Sequence, residues 1–354
     1  MSEADVRRAF ADQADWCERL GSPFTARVMR VLERGLDRST LVGRRVLDRR
    51  GRADAGGDAV PLRLAGALNA LARSAERPAL AAAWPPAPVT DDATLARAVR
   101  AALVDDGAVL LDWLALPPQT NEVGRSAAVH AALMHVVAAH GLPVSLFELG
   151  ASAGLNLQPD RYGYALGGRR CGARDSPVQL VPDWTGSAPG GVEPIVVARR
   201  GCDRAPVDVT DPAARERLLA YVWPDQAARV ERLRAALAIA VDDPPRVDEA
   251  DAADWAESRL GEAGERGATR VLLHTIARQY FPPDVDGRVA RRIAACGEAA
   301  TPDAPFAHVS FEQDGSRGPA LDVTVWPDGT TTRLAHAQAH GAAFVWHGPG
   351  RARG

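Results

Sequence analysis

The chain has 354 residues, 46% hydrophobic and 25% charged, an ordinary globular composition and long enough to bury a core without disulfides or metals. A formal net charge of −3 excludes binding of nucleic acid through bulk positive charge, and no run of about 18 apolar residues marks a membrane span. The polar N-terminus lacks a signal-peptide core, and Cys17, Cys171, Cys202 and Cys296 form no C-x-x-C pair, which argues against a zinc ribbon or disulfide framework and fits a reducing cytoplasm.

Residues 1–118 read as a helical N-terminal cap domain. Apolar residues recur at three- and four-residue spacings over Ala4–Cys17, Ser22–Leu36, Pro61–Ala75 and Thr90–Asp105. Asp91 or Asp92 is placed to cap the last of these. Pro117 and Pro118 close the region. Residues 119–354 change character. A helix is predicted from Ser126 to about His140, with Gly141 just past its end, and a short strand over Val144–Glu148. Next come a strand within Glu193–Cys202, helices over Pro212–Val222 and Asp225–Val241, and a short strand over Arg246–Ala250. A buried strand follows at Arg270–His274, then a helix at Val285–Cys296. Strands over Pro305–Phe311, Ala320–Trp326, Thr331–Ala335 and Ala342–Trp346 end the pattern, with a hairpin turn at Pro327–Gly329. Alternation of α and β followed by antiparallel strands predicts an α/β, Rossmann-like domain. Its sheet is mostly parallel with an antiparallel C-terminal edge, and an insertion spans about 161–191.

The most informative stretch is Glu148-x-Gly150-x-Ser152-x-Gly154, directly after the first strand. Glycines there permit tight turning and close backbone approach to a ligand. A helix is expected next, whose first N–H groups would hold an anionic group. The loop resembles that of class I S-adenosylmethionine (SAM) methyltransferases, where it passes under the amino-acid part of the cofactor. The resemblance implies a SAM site at Glu148, Gly150, Ser152, Gly154 and Asn156. Asp203, ending the next strong strand, is placed to bind ribose hydroxyls. It stands 55 residues after Glu148, where about 20 is usual, and the insertion accounts for the excess. Asp251, after the short strand, is a candidate for the adenine amino group or a cap of the next helix.

Ligands of open α/β sheets bind beyond the carboxyl ends of strands. That makes His274 a candidate general base and Tyr280 a candidate wall of the substrate pocket. Asn121, Glu122 and Arg125, in an unusually polar approach to a helix, are candidates for contacts to SAM or substrate. Tyr162 and Tyr164, in the insertion, are further substrate candidates. Gly150-x-Ser152-x-Gly154 also spells the nucleophile elbow of α/β-hydrolases, with Asp251 and His274 or His336 to complete a triad; only one strand precedes it, and no His-Gly-Gly motif lies upstream. A non-catalytic nucleotide-binding module is a third reading. His130, His135 and His140 step by five, so they fall on different helix faces. His336 and His340 lack the glutamate of H-E-x-x-H. No metal is expected.

Gln119–Arg125, Phe147–Leu157, Asp160–Tyr164 and Val222–Gln226 are together similar to the motifs of a bacterial family known as domain of unknown function 2332, over nearly the whole chain. The resemblance implies a methyltransferase-like fold without implying methyl transfer. Ser152 departs from the methyltransferase loop, where glycine is common. The expectation is a cytoplasmic, SAM-dependent methyltransferase acting on an unidentified small molecule, with no nucleic-acid or membrane partner.

Overall fold

The structure, a computed structural model, describes residues 2–261, 266–315 and 318–348. In chain order the helices and strands begin with α1 (Glu3–Arg19), α2 (Pro23–Gly35), α3 (Leu41–Leu47), α4 (Val60–Arg73), α5 (Pro78–Ala82), α6 (Asp92–Asp105) and α7 (Gly107–Ala115). After them come α8 (Ser126–His140), β1 (Val144–Leu149), β2 (Gly163–Leu166), β3 (Arg169–Gly172), β4 (Gln179–Leu180), β5 (Asp183–Thr185) and β6 (Val196–Asp203). The chain continues through α9 (Pro212–Ala220), α10 (Ala227–Asp242), β7 (Val247–Glu249), α11 (Ala252–Arg259), β8 (Thr269–Thr275) and α12 (Pro283–Glu298). It ends in β9 (Phe306–Gln313), β10 (Pro319–Trp326), β11 (Thr330–Ala337) and β12 (Ala343–Trp346).

These elements form two compact units. One holds the chain up to Thr120 together with Asp211–Arg234; the other holds Asn121–Thr210 and the chain from Ala235 onward. Asp211–Arg234, read from sequence as part of the second domain, therefore clusters with the N-terminal helices.

The first unit is helical because its apolar residues fall on single faces. Val6, Phe10, Ala14 and Cys17 of α1 and Phe24, Val28 and Leu32 of α2 are all buried in one core. Caps fix the helix starts. Ser2 and Asp5 form a reciprocal capping box on α1, and Asp91 accepts the Thr94 N–H of α6 at 2.7 Å. Ser22 does not cap α2. Asp225, from the later segment, takes that role by accepting the Phe24 N–H at 2.9 Å and the Ser22 hydroxyl. Asn69 of α4 is buried and fully engaged. Its amide donates to the carbonyls of Ala220 at 2.8 Å and Val222 at 3.0 Å, and its oxygen accepts the Trp84 indole N–H at 3.1 Å. The cavity beside Asn69, Trp84 and Tyr221 is about 20 Å³, room for one water rather than a substrate.

The second unit is built on a sheet of order β5-β12-β11-β10-β9-β8-β1-β6-β7 among the described residues. The run β7-β6-β1-β8-β9 is parallel, and β9 to β12 are antiparallel. The chain steps outward from β1 to β6 and β7, then returns to β8 and β9 on the other side. The order therefore reverses between β1 and β8, a topological switch point. Leu149, Cys202, Leu272 and Phe306 on one face pack with Trp255, Ala256, Val289 and Ile293 of α11 and α12. Eleven of the fifteen residues of α8 are buried, and it packs along β8, β9 and β10.

The insertion divides in two. β2, β3 and β4 form a small separate sheet, while β5 joins the main sheet parallel to β12, with Trp184 against Phe344 and Trp346. The helix expected after the glycine loop is absent among the described residues. The chain instead makes single 3-10 turns at Leu155–Leu157 and Pro159–Arg161. Pro159 disfavours helical backbone at Gln158, and side chains take the loop's polar groups: Asn121 accepts the Leu155 N–H at 2.9 Å, while the Tyr162 hydroxyl donates to the Leu155 carbonyl at 2.8 Å. No described helix is long and apolar enough to cross a membrane.

Candidate ligand site at the end of the first strand

Glu148 lies next to the end of β1 with its side chain 1% exposed. Its Oε2 has no hydrogen-bond partner. Burial raises its pKa well above the usual carboxylate range; Arg125 opposes that shift and Asp203 adds to it. The loop beyond alternates through left-handed backbone at Gly150, Ser152 and Gly154, with φ of +69°, +54° and +72°. A Cβ on Gly150 would stand 2.6 Å from the Ala277 methyl, and one on Gly154 would stand 2.7 Å from the Pro245 ring. These glycines thus let the loop pack against the protein's own atoms. Ser152 holds a conformation unfavourable for an L-residue. Two bonds fix it: its N–H donates to Asp203 at 2.9 Å, and its carbonyl accepts the Val207 N–H at 3.1 Å. Its buried Oγ has no partner.

Asp203 therefore sits beside the loop, where the sequence places a ribose acid, and its second oxygen accepts the Ala205 N–H at 3.0 Å. Glu122 accepts the Gly124 N–H at 3.0 Å. Arg125 donates to the carbonyl of Thr275, at the end of β8, at 2.8 Å and to that of Ala339 at 3.0 Å. Asn156 accepts the Ser126 hydroxyl at 2.7 Å, while its buried Nδ2 has no partner. Asn121, Arg125, Glu148, Ser152, Asn156 and Asp203 are thus gathered around the carboxyl end of β1. A family model described as "Uncharacterized protein conserved in bacteria (DUF2332)" matches residues 7–346. The chain belongs to this family. No curated protein matches it.

The remaining predicted site residues of this DUF2332 chain stand elsewhere or act differently. Tyr162 and Tyr164 are buried, and burial pushes both phenols above their ordinary pKa. Tyr162 donates to Leu155, as above, and Tyr164 donates to the Pro159 carbonyl at 2.6 Å, so both support the loop from behind. Asp251 caps α11, accepting the N–H groups of Ala253 at 2.9 Å and Asp254 at 3.4 Å. Tyr280 is 69% exposed.

His274 pairs in register with Leu149, not Glu148, so it projects from the opposite sheet face to Glu148. Its Nδ1 bonds Glu312 at 2.8 Å and its Nε2 bonds His308 Nε2 at 2.9 Å. Both ring nitrogens are engaged and the ring is fully buried, which gives a general base no open nitrogen. Glu312 also accepts the N–H groups of Ala277 and Arg278 at 3.0 and 3.1 Å. Burial pushes its pKa up, but the His274 bond and these N–H groups outweigh that and hold it below the ordinary value. His308 is held far below its ordinary pKa by burial, with His274 and Arg278 adding to the effect. Sequence reading missed His308 and Glu312; their four-residue spacing, which puts both on one face of β9, was the available sign. It also missed the grouping of His130, Cys171 and Glu193.

Proposed function

We propose that the second unit binds SAM at the carboxyl end of β1 and that the protein is a methyltransferase for a small molecule. The observation that carries this reading is Glu148, a carboxylate buried at the switch point with an unpartnered oxygen. Ionising a buried carboxyl is costly, and a ligand cation placed against Glu148 offsets that cost. SAM carries an ammonium and a sulfonium. Its carboxylate needs a donor such as the unpartnered Nδ2 of Asn156, and Asp203 stands where a ribose would be met. The donor set fits the amino-acid part of the cofactor. The absence of a following α-helix removes a helix-terminus contact, so side chains carry the binding. When bound, SAM supplies an activated methyl group; this chain's part is to orient it and to keep the Glu148 end of the site dry. Four buried free cysteines fit a reducing compartment.

Titration calorimetry with SAM and S-adenosylhomocysteine tests the reading. Binding on the order of micromolar, weakened at least about tenfold in Glu148→Gln, is expected. A folded wild-type protein that binds neither compound overturns it. One observation favours the hydrolase reading: Ser152 has left-handed backbone and a free hydroxyl. The strand–turn–helix context of an elbow is missing there, and fluorophosphonate labelling that disappears in Ser152→Ala is the result that would support a hydrolase.

A further inference from the structure

His130 of α8, Cys171 of β3 and Glu193 before β6 each place one ligand atom within 4.8 Å of the others. His130 is 1% exposed and Cys171 is 4% exposed. Neither nitrogen of His130 makes a hydrogen bond of ordinary geometry, although Nε2 lies 3.2 Å from Glu193 Oε2. A buried imidazole with an unused lone pair beside a thiol and a carboxylate is what a borderline-soft divalent cation binds. We propose that His130, Cys171 and Glu193 form a zinc-type metal site, independent of the proposed SAM site, with water as the fourth ligand.

Several features prepare it. The Tyr164 ring stacks on His130 at 4.1 Å with planes 19° apart, which fixes the imidazole plane. The Gly172 N–H donates to Glu193 Oε2 at 3.1 Å, an outer bond of the kind that orients a ligating carboxylate. Zinc–ligand bonds of about 2.0–2.3 Å place tetrahedral ligand atoms roughly 3.3–3.8 Å apart; His130 and Glu193 already approach to 3.2 Å, and the separations to Cys171, within 4.8 Å, need to close by up to roughly 1.5 Å. The Glu193 side chain, 49% exposed, is able to follow that movement and leaves a coordination position facing solvent. Neutral imidazole, thiolate and carboxylate sum to −2 and cancel the charge of a divalent ion, which suits a largely buried site. Burial pushes the Cys171 thiol up to about 11, so it is a thiol without metal. On binding, the S–H proton leaves to solvent and the sulfur lone pair forms the metal bond. Arg169, whose guanidinium donates to the carbonyls of Pro189 and Gly191, lies near enough to favour the charged forms of Cys171 and Glu193.

The test is titration of chelator-treated full-length protein with Co²⁺ under reducing conditions, followed by competition with Zn²⁺. One equivalent of Co²⁺ is expected to give tetrahedral ligand-field bands and a thiolate charge-transfer band, both erased by Zn²⁺. Cys171→Ser is expected to lose the thiolate band. Glu193→Gln, at a half-exposed position that leaves the fold intact, is expected to weaken Co²⁺ by at least about tenfold. Absence of the thiolate band in folded wild type, or unchanged Co²⁺ affinity in Glu193→Gln, overturns the site.

Discussion

Replacing Glu148 with glutamine keeps the shape of a side chain that is 1% exposed and removes its ionisation. The folded pKa lies above the ordinary value of 4.5 because burial disfavours the charge. Between 4.5 and that raised value, the folded state holds one proton more than the unfolded chain. Wild-type stability therefore falls as pH rises through this window, by about 1.4 kcal/mol per unit. Below 4.5 both states are protonated and the slope vanishes. Glu148→Gln lacks the slope altogether. Glutamine keeps an unpartnered polar atom in the place of Oε2, so the gain comes from removing the charge alone, about 1.4 kcal/mol for each unit by which burial raises the pKa. The variant is expected to be more stable than wild type by that amount near pH 8, with little difference near pH 5. Hydrogen exchange of β1 and β8 amides in urea, at both pH values, reports the second unit separately. Saturating SAM is expected to narrow the difference near pH 8, because it binds wild type more tightly and so stabilises it more. A variant no more stable than wild type near pH 8, with a difference independent of pH, refutes the reasoning.

Gly150→Ala combines left-handed backbone (φ +69°) with a Cβ 2.6 Å from that of Ala277; a loss of about 2–4 kcal/mol is expected, partly restored by Ala277→Gly in a double-mutant cycle read by urea midpoints. Asn69→Ala leaves the Trp84 indole and the carbonyls of Ala220 and Val222 without their bonds, which predicts a loss of about 2–4 kcal/mol and faster proteolysis within 211–234. His308 has a folded pKa far below 6.5, so the unfolded chain binds the extra proton and stability declines as pH falls below about 6.5; His308→Gln is expected to flatten that decline in acid-unfolding curves.

The parallel strands were legible because β1 and β8 are buried on both faces, which leaves short apolar stretches at Leu146-Phe147 and Val271–Leu273. The capping residue was legible where it is local, as at Asp91, and not where it is remote, even though the start of α2 at Ser22 was read from its apolar spacing. Nothing near Ser22 announces that Asp225 caps α2. The loop after β1 misled for a similar reason. Its glycines suit a phosphate-type turn, but the partners that shape it, Asn121 and Tyr162, come from other parts of the chain. Tyr162 and Tyr164 were read as substrate candidates in the insertion; the sequence does not show that both hydroxyls meet backbone carbonyls. His274 stood at the right strand end, but a strand's alternation assigns its face only once the register against Leu149 is known. The cluster of His130, Cys171 and Glu193 leaves no local spacing at all, because it is assembled from a helix, a strand and a loop.

The membership of Asp211–Arg234 in the N-terminal unit bears on how the chain is made. A ribosome releases α1 to α7 first, but the carbonyls that engage Asn69 and the carboxylate that caps α2 arrive only with residues 220–225. By then β1 and β6 have already emerged. At roughly 5–20 residues per second, the nascent helical layer waits on the order of ten seconds with its first core incomplete. A chain released early at Thr120 would lack the residues that complete its own N-terminal unit.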